Sequence, residues 1–245
     1  MSRVFLLMTA GLCASLALGA CGPAAGGDDA AFGARVRAYL LAHPEVIEEA
    51  TERLQAKQDA EDAAALKKAQ AALPRYRAAL ERDPRDFVAN PNGKITVTEF
   101  YDYRCPHCAD AAPQVLALIK ENPDIRFVFK EMPIFGATSE HAAYAAIAVK
   151  KAGGDYLGLY QGLMATHPLD VATVNKLAVA NGAKAADLSP SAPATAQLAA
   201  TDKLFKDLHL DGTPAFIVGN EIIPGADMEA LAAAIDKARG APTMG

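Results

Sequence analysis

The 245-residue chain has no tryptophan, only four cysteines, and aromatic residues at 7%. It carries no glycine-rich phosphate loop and no dinucleotide fingerprint, so no motif is present to cradle a nucleotide's phosphates. Basic residues are not in excess: 24 Lys and Arg stand against 29 Asp and Glu, a net charge of −5. That balance argues against a nucleic-acid partner and names no substrate. The apolar run from Val4 to Leu18 is too short for a good membrane span. With Arg3 before it, the run reads as the charged and apolar regions of a secretory signal.

The scarcity of cysteine sorts the four into different fates. Cys13 lies inside the signal. Cys105 and Cys108 form the one close pair, Cys105-Pro106-His107-Cys108. A structural zinc site wants four ligands, and no second pair exists; His43, His141, His167 and His209 show no ligand spacing. Haem attachment needs a histidine directly after Cys108, where Ala109 stands. An exported domain of this size buries an adequate core without staples, so chemistry explains the isolated pair better than structural need.

The pair sits where a strand hands over to a helix. Ile95 to Tyr101 reads as a β-branched and aromatic strand, and Ala109 to Lys120 as a helix with Ala112, Val115, Leu116 and Ile119 at helical spacing. Two thiols separated by two residues at a helix start can close a small disulfide ring and open it again. At that place the Cys105 sulfur faces unpaired N–H groups and the positive end of the helix dipole, which favour thiolate over thiol. Pro106 fixes the turn, and His107 can add charge or a hydrogen bond.

Around this motif the chain divides by composition. From Phe32 to about Arg82 it is rich in Ala and charged residues, with an apolar stripe of Leu40, Leu41, Val46, Ile47, Ala50 and Leu54; Pro44 suits a helix start and Pro74 marks a break. Turn residues at Asp83-Pro84 and Asn90-Pro91-Asn92-Gly93 mark a boundary. Strand, Cys motif, helix and the strand Ile125 to Phe129 then form a βαβ unit. Thr138 to about Leu208 is helical, with Ser139 as a candidate cap. Pro214 to Val218 turns at Gly219-Asn220 into Glu221 to Ile223, a hairpin, before a last helix to Arg239.

Leu18-Gly19-Ala20-Cys21 resembles the lipobox of bacterial lipoproteins, in which the cysteine is acylated and becomes the first mature residue. Ordinary cleavage near Gly19 or Ala20 is the competing reading. The tether-like Gly22 to Gly27 that follows favours the lipobox, and Gly22 in place of Asp points to the outer membrane.

The order βαβ, helical insertion, ββα, with Cys-Pro-His-Cys after the first strand and Gly212-Thr213-Pro214 before the third, resembles the DsbA family of thioredoxin-fold oxidoreductases. The helices containing His43-Pro44-Glu45-Val46 look like its ScsC and Com1-like branch. The resemblance implies an α/β thioredoxin fold with a helical insertion, preceded by an α-helical region. It implies Cys105 as nucleophile and Cys108 as the resolving thiol. Pro214 is implied as a cis-proline that exposes the Thr213 backbone to substrate. Glu99 is implied as a buried acid relaying the Cys108 proton, with Lys130 as its partner. Residues 1–20 are expected to be a lipoprotein-type signal, 21–31 a tether, 32–88 a helical, oligomerising region, 89–240 the catalytic domain with its insert at about 138–208, and 241–245 a tail.

The expected activity is disulfide formation or isomerisation in cysteine-containing envelope proteins of the periplasm. It would need no cofactor or metal, a membrane redox partner, and a dimer or trimer built on the N-terminal helices. The other classes left open are a copper-binding, metal-tolerance thiol protein and a non-catalytic peptide-binding adaptor.

Overall fold

The computed structural model of the chain describes residues 27–240. The signal with Cys13, the lipidation candidate Cys21, most of the tether and the tail lie outside the described residues. The chain forms two compact units that divide between Gln58 and Asp59.

The first unit holds helix α1 (Gly27–Ala42) and the opening turns of α2 (Glu45–Glu81). Pro44 stands immediately before α2, where its missing N–H does no harm, and Glu45 and Glu48 occupy the first turn at the positive end of the helix. At the corner the His43 ring lies 4.5 Å from that of Tyr39 and bonds the Glu45 carboxylate at 3.0 Å. The apolar stripe forms but is left largely uncovered: Leu40 and Val46 are half-buried, whereas Leu41, Ile47 and Leu54, and Tyr39 outside the stripe, are each more than half exposed.

The second unit takes over α2 from Asp59. The helix does not break at Pro74 as the sequence suggests; it continues to Glu81. Ala69, Leu73 and Leu80 are buried along one side of this stretch, and that burial outweighs one missing backbone hydrogen bond. Strand β1 (Phe87–Ala89), β2 (Ile95–Tyr101), helix α3 (Pro106–Glu121) and β3 (Ile125–Glu131) follow. Helices α4 (Ala137–Lys151), α5 (Tyr156–Met164), α6 (Val171–Ala180) and α7 (Ala192–Asp207) come next. The hairpin β4 (Ala215–Val218) and β5 (Glu221–Pro224) and helix α8 (Met228–Gly240) complete it. Asp155 caps α5, Asp170 caps α6 and Ser191 caps α7. Ser139 does not cap α4, which starts two residues earlier; its hydroxyl is buried and makes no hydrogen bond.

The sheet order is β1-β3-β2-β4-β5. β2 and β3 are parallel, as a βαβ unit requires, and β1, β4 and β5 run antiparallel to their neighbours. This is the expected thioredoxin fold with its helical insert, and β1 is a short added edge. Alternation along the strands sorts side chains onto two faces. Val97, Tyr101, Phe127, Phe129 and Phe216 share one core with Val115 and Ile119 of α3, Leu159 and Leu163 of α5 and Leu231 and Ile235 of α8. Phe100, Ala215 and Ile217 share a second core with Leu73 and Leu80 of α2 and Leu204 and Phe205 of α7. The cysteine motif lies at the end of the central strand β2, over the first of these cores.

Candidate active site

Cys105 is the N-cap of α3, with extended backbone (φ −74°, ψ 120°) and Pro106 at the first helical position. The helix thus begins at the motif itself, earlier than the apolar spacing alone suggests. The Cys105 side chain makes no cap bond, so its sulfur is left beside N–H groups that no carbonyl satisfies. Its thiol is held at about 5, chiefly by a hydrogen bond from the Cys108 thiol against the opposing effect of burial, and further by the backbone N–H groups of Cys108 and His107. The two cysteines are free thiols. Cys108 points into the core, fully buried, and burial pushes its thiol well above the ordinary range, helped by its bond to Cys105 and by the nearby Glu99. One thiol is poised to ionise and its neighbour to keep its proton.

The Thr213–Pro214 peptide is cis. It brings the Thr213 carbonyl to 3.0 Å from the Cys105 sulfur, where the thiol form donates its S–H. The backbone N–H of Gly225 bonds the Pro214 carbonyl at 2.8 Å and fixes this segment on the far side of the hairpin. The His107 ring is exposed, and no hydrogen bond links it to a described residue; what His107 supplies to the sulfur is its backbone N–H.

Glu99 lies on β2 beneath the dithiol with no exposed surface. Burial raises its carboxyl to about 8, and the Tyr160 hydroxyl, 3.4 Å from both oxygens, offsets this only in part. Lys130 does not meet it. In the β2–β3 register Glu99 stands opposite Phe129, whereas Lys130 stands opposite Phe100 and so belongs to the other face of the sheet. There Lys130 Nζ bonds Asp86 at 2.5 Å and the Ala79 carbonyl at 2.7 Å, both partners of the pair being buried. The expected Glu99–Lys130 pair is replaced by a structural one.

Two features of the site were not legible in advance. Asp102 is buried and accepts three backbone N–H groups, from Arg104 (2.7 Å), Ile134 (2.7 Å) and Phe135 (2.9 Å), and its own carbonyl receives the Cys105 N–H at 3.1 Å. It ties the catalytic turn to the loop after β3. An Asp two residues before a turn N–H is a signal for such a bond. The second feature is a buried group of tyrosines beside Glu99 and Glu131: Tyr101, Tyr103 and Tyr160 pack edge to face, and Tyr156 joins them through its hydroxyl, 2.7 Å from that of Tyr101. Among the described residues no cluster of three or more His, Cys, Asp or Glu is arranged to hold a metal ion.

A thioredoxin fold with a reactive cysteine at a helix start, a buried second thiol and a cis-proline beside them defines a thiol–disulfide oxidoreductase. The thioredoxin family model matches residues 83–237, and the chain belongs to that family, in its DsbA- and ScsC-like part. Residues 28–61 match the N-terminal domain of the copper resistance protein ScsC. A thioredoxin-like oxidoreductase from Silicibacter pomeroyi is 34% identical over 68% of this chain and 99% of its own, with a TM-score of 0.63. ScsC from Proteus mirabilis, in a transitional conformation, is 28% identical over 87% of this chain and 96% of its own, with the same TM-score of 0.63. The thiol:disulfide interchange protein DsbA of Bordetella parapertussis is 29% identical over 52% of this chain. The chain spans 64% of that protein's length and 25% of a Na(+)/H(+) antiporter NhaA of Salinispora arenicola that it also matches.

Proposed function

We propose that the chain is an exported enzyme that forms or rearranges disulfides in envelope proteins through Cys105 and Cys108. The observation that carries this reading is the Cys105 sulfur at the start of α3, ionising at about 5 beside the Thr213 carbonyl, with a fully buried Cys108 behind it. Stabilising the thiolate stabilises the reduced form, so the disulfide form is an oxidant. In the forward direction a substrate thiolate attacks the Cys105 sulfur of the enzyme disulfide. The Cys105–Cys108 bond breaks, and Cys108 leaves as thiolate and takes a proton, for which Glu99 is the buried donor. A second substrate thiolate then attacks the substrate sulfur of the mixed disulfide and releases Cys105 as thiolate. The substrate has lost two electrons and the enzyme has gained them; a membrane redox partner would return the enzyme to its oxidised form, or keep it reduced for isomerisation.

The apolar run before Leu18-Gly19-Ala20-Cys21 supports export and a lipid anchor, in the periplasm at the outer membrane. The match of residues 28–61 to an ScsC N-terminal domain, with the uncovered apolar stripe of that unit, supports a homo-oligomer. The deciding experiment sets oxidation of a reduced substrate beside refolding of a scrambled one. Rescue of the scrambled form by reduced enzyme means isomerase, oxidation alone means donor, and either must vanish in Cys105→Ser. A second reading, copper handling, is favoured by that same N-terminal match and by the affinity of thiolates for Cu(I). Stoichiometric copper retention without turnover in the oxidation assay selects it.

A further inference from the structure

Glu131 ends β3 on the dithiol face of the sheet, fully buried, and the reaction described so far does not use it. Its Oε1 accepts the Tyr156 hydroxyl at 2.5 Å; the Tyr156 oxygen lies 2.7 Å from that of Tyr101, and the Tyr101 oxygen 3.0 Å from that of Tyr103. Its Oε2 is buried without a partner. With Glu131 ionised, three hydroxyl protons serve three hydrogen bonds, running Tyr103 to Tyr101 to Tyr156 to Glu131. A proton added at Oε1 must reverse the chain and strands the last hydroxyl proton at Tyr103. A proton added at Oε2 has no acceptor. The chain therefore favours the charged form, while burial favours the neutral one, and the carboxyl comes to about 7.

The other end of this chain lies in the turn that leads into the dithiol. Tyr103 lies two residues before Cys105 and shares its core with Cys105, Cys108 and Tyr160. It is acted on by the charges of both Glu131 and Glu99. Glu99 faces Phe129 and Glu131 faces Tyr101 across the same strand pair, so the two acids occupy one face, one pair apart diagonally. The groups facing Glu131 are Tyr156 from α5 and Tyr101 and Tyr103 from β2 and its turn. Lys130 and Asp86 also act on it, but they are bonded to each other on the opposite face.

We propose that Glu131 is a positioning residue for disulfide exchange: its charge, held through the tyrosine chain, keeps the proton on Glu99 that Cys108 requires. This rests on the oxidoreductase reading above. Parallel strands about 4.8 Å apart, rising about 3.3 Å per residue, put diagonal neighbours two residues on at about 8 Å. At an effective dielectric constant of about 20, a charge there changes a neighbour's proton equilibrium by about thirtyfold.

The test is the pH profile of exchange between the purified protein and oxidised glutathione, from pH 5 to 9, with thermal melts to establish folding. Glu99→Gln identifies the Glu99 limb by removing it. Glu131→Gln still accepts from Tyr156 but cannot ionise, and is expected to move that limb to lower pH by about one and a half units, the same thirtyfold effect. Tyr156→Phe removes the bond that stabilises charged Glu131, and is expected to move the limb the same way. A role in packing alone would lower the rate at every pH and leave the limb in place. Either variant, folded and with the limb unmoved, overturns the proposal. A wild-type protein that does not exchange with glutathione at any pH overturns instead the reading on which it rests.

Discussion

Two residues of one type, three positions apart, are driven in opposite directions by their surroundings. Cys105 ends a turn and begins a helix, so free N–H groups and the Cys108 thiol stabilise its charge; Cys108 is one turn deeper and loses all contact with water. A thiolate absorbance titration of the reduced protein should therefore show one transition centred near pH 5 and no second through mildly alkaline pH. A single transition near the ordinary thiol value of about 8.5 would remove the basis for an activated nucleophile. Glu99 offers a second check at this scale. Its carboxyl stays protonated in the folded protein to about 8 but ionises in the unfolded chain near 4.5. Between those values the unfolded state releases a proton that the folded state keeps, so stability is full below pH 4.5 and falls as pH rises through 8, by at most about 1.4 kcal/mol per unit. Urea denaturation across this range should show the decline, and Glu99→Gln should flatten it. Equal slopes for the two proteins would mean that Glu99 is ionised in the fold.

Elements were legible where local pattern and tertiary burial agree. β2 and β3 alternate and carry β-branched and aromatic residues, Gly219-Asn220 turns the β4–β5 hairpin at positive φ (58°), and the cysteine motif opens α3. Three features escaped because long-range contacts decide them. β1 is three residues set among turn formers, and it exists only because Phe87 to Ala89 finds the free edge of β3. α2 passes through Pro74 because its far half is buried. The family resemblance pairs Lys130 with Glu99, whereas the one-residue offset in the register sends it to Asp86. That pair ties three elements together, since Lys130 on β3 also holds the Ala79 carbonyl of α2. Lys130→Met strands the Asp86 carboxylate and the carbonyl, and should lower stability by about 3–5 kcal/mol; Lys130→Met with Asp86→Leu should recover most of it. Denaturant midpoints read both. If the double variant is as weak as the single, the ion pair matters for more than mutual compensation. The tyrosine chain was illegible for the same reason as Lys130: its members come from β2, the turn after it and α5, more than fifty residues apart in sequence, and no spacing rule joins them.

At the scale of the whole molecule, disulfide donation and isomerisation make different demands. A donor needs one oxidised site and a partner to reoxidise it. An isomerase must attack a wrong disulfide, hold the mixed intermediate and be present again when the next pair is exposed, which is aided when several active sites share one assembly and raise each other's effective concentration. We propose that the first unit supplies the means. Leu41 and Ile47 stand 67% and 53% exposed on helices that cover little of their own surface, and an apolar stripe of this kind on a matched ScsC N-terminal segment suits a second or third copy. Leu41→Ser with Ile47→Ser changes two exposed positions and no residue of the catalytic unit. Light scattering of the wild-type soluble protein should give a multiple of the chain mass and the double variant a monomer. Oxidation of a small reduced peptide, counted per active site, should be equal in the two proteins. Rescue of a scrambled multi-cysteine substrate should fall by about a hundredfold in the variant, the low end of what linked sites gain. A wild-type protein that is monomeric at every concentration would leave isomerisation without its assembly and turn the reading toward donation.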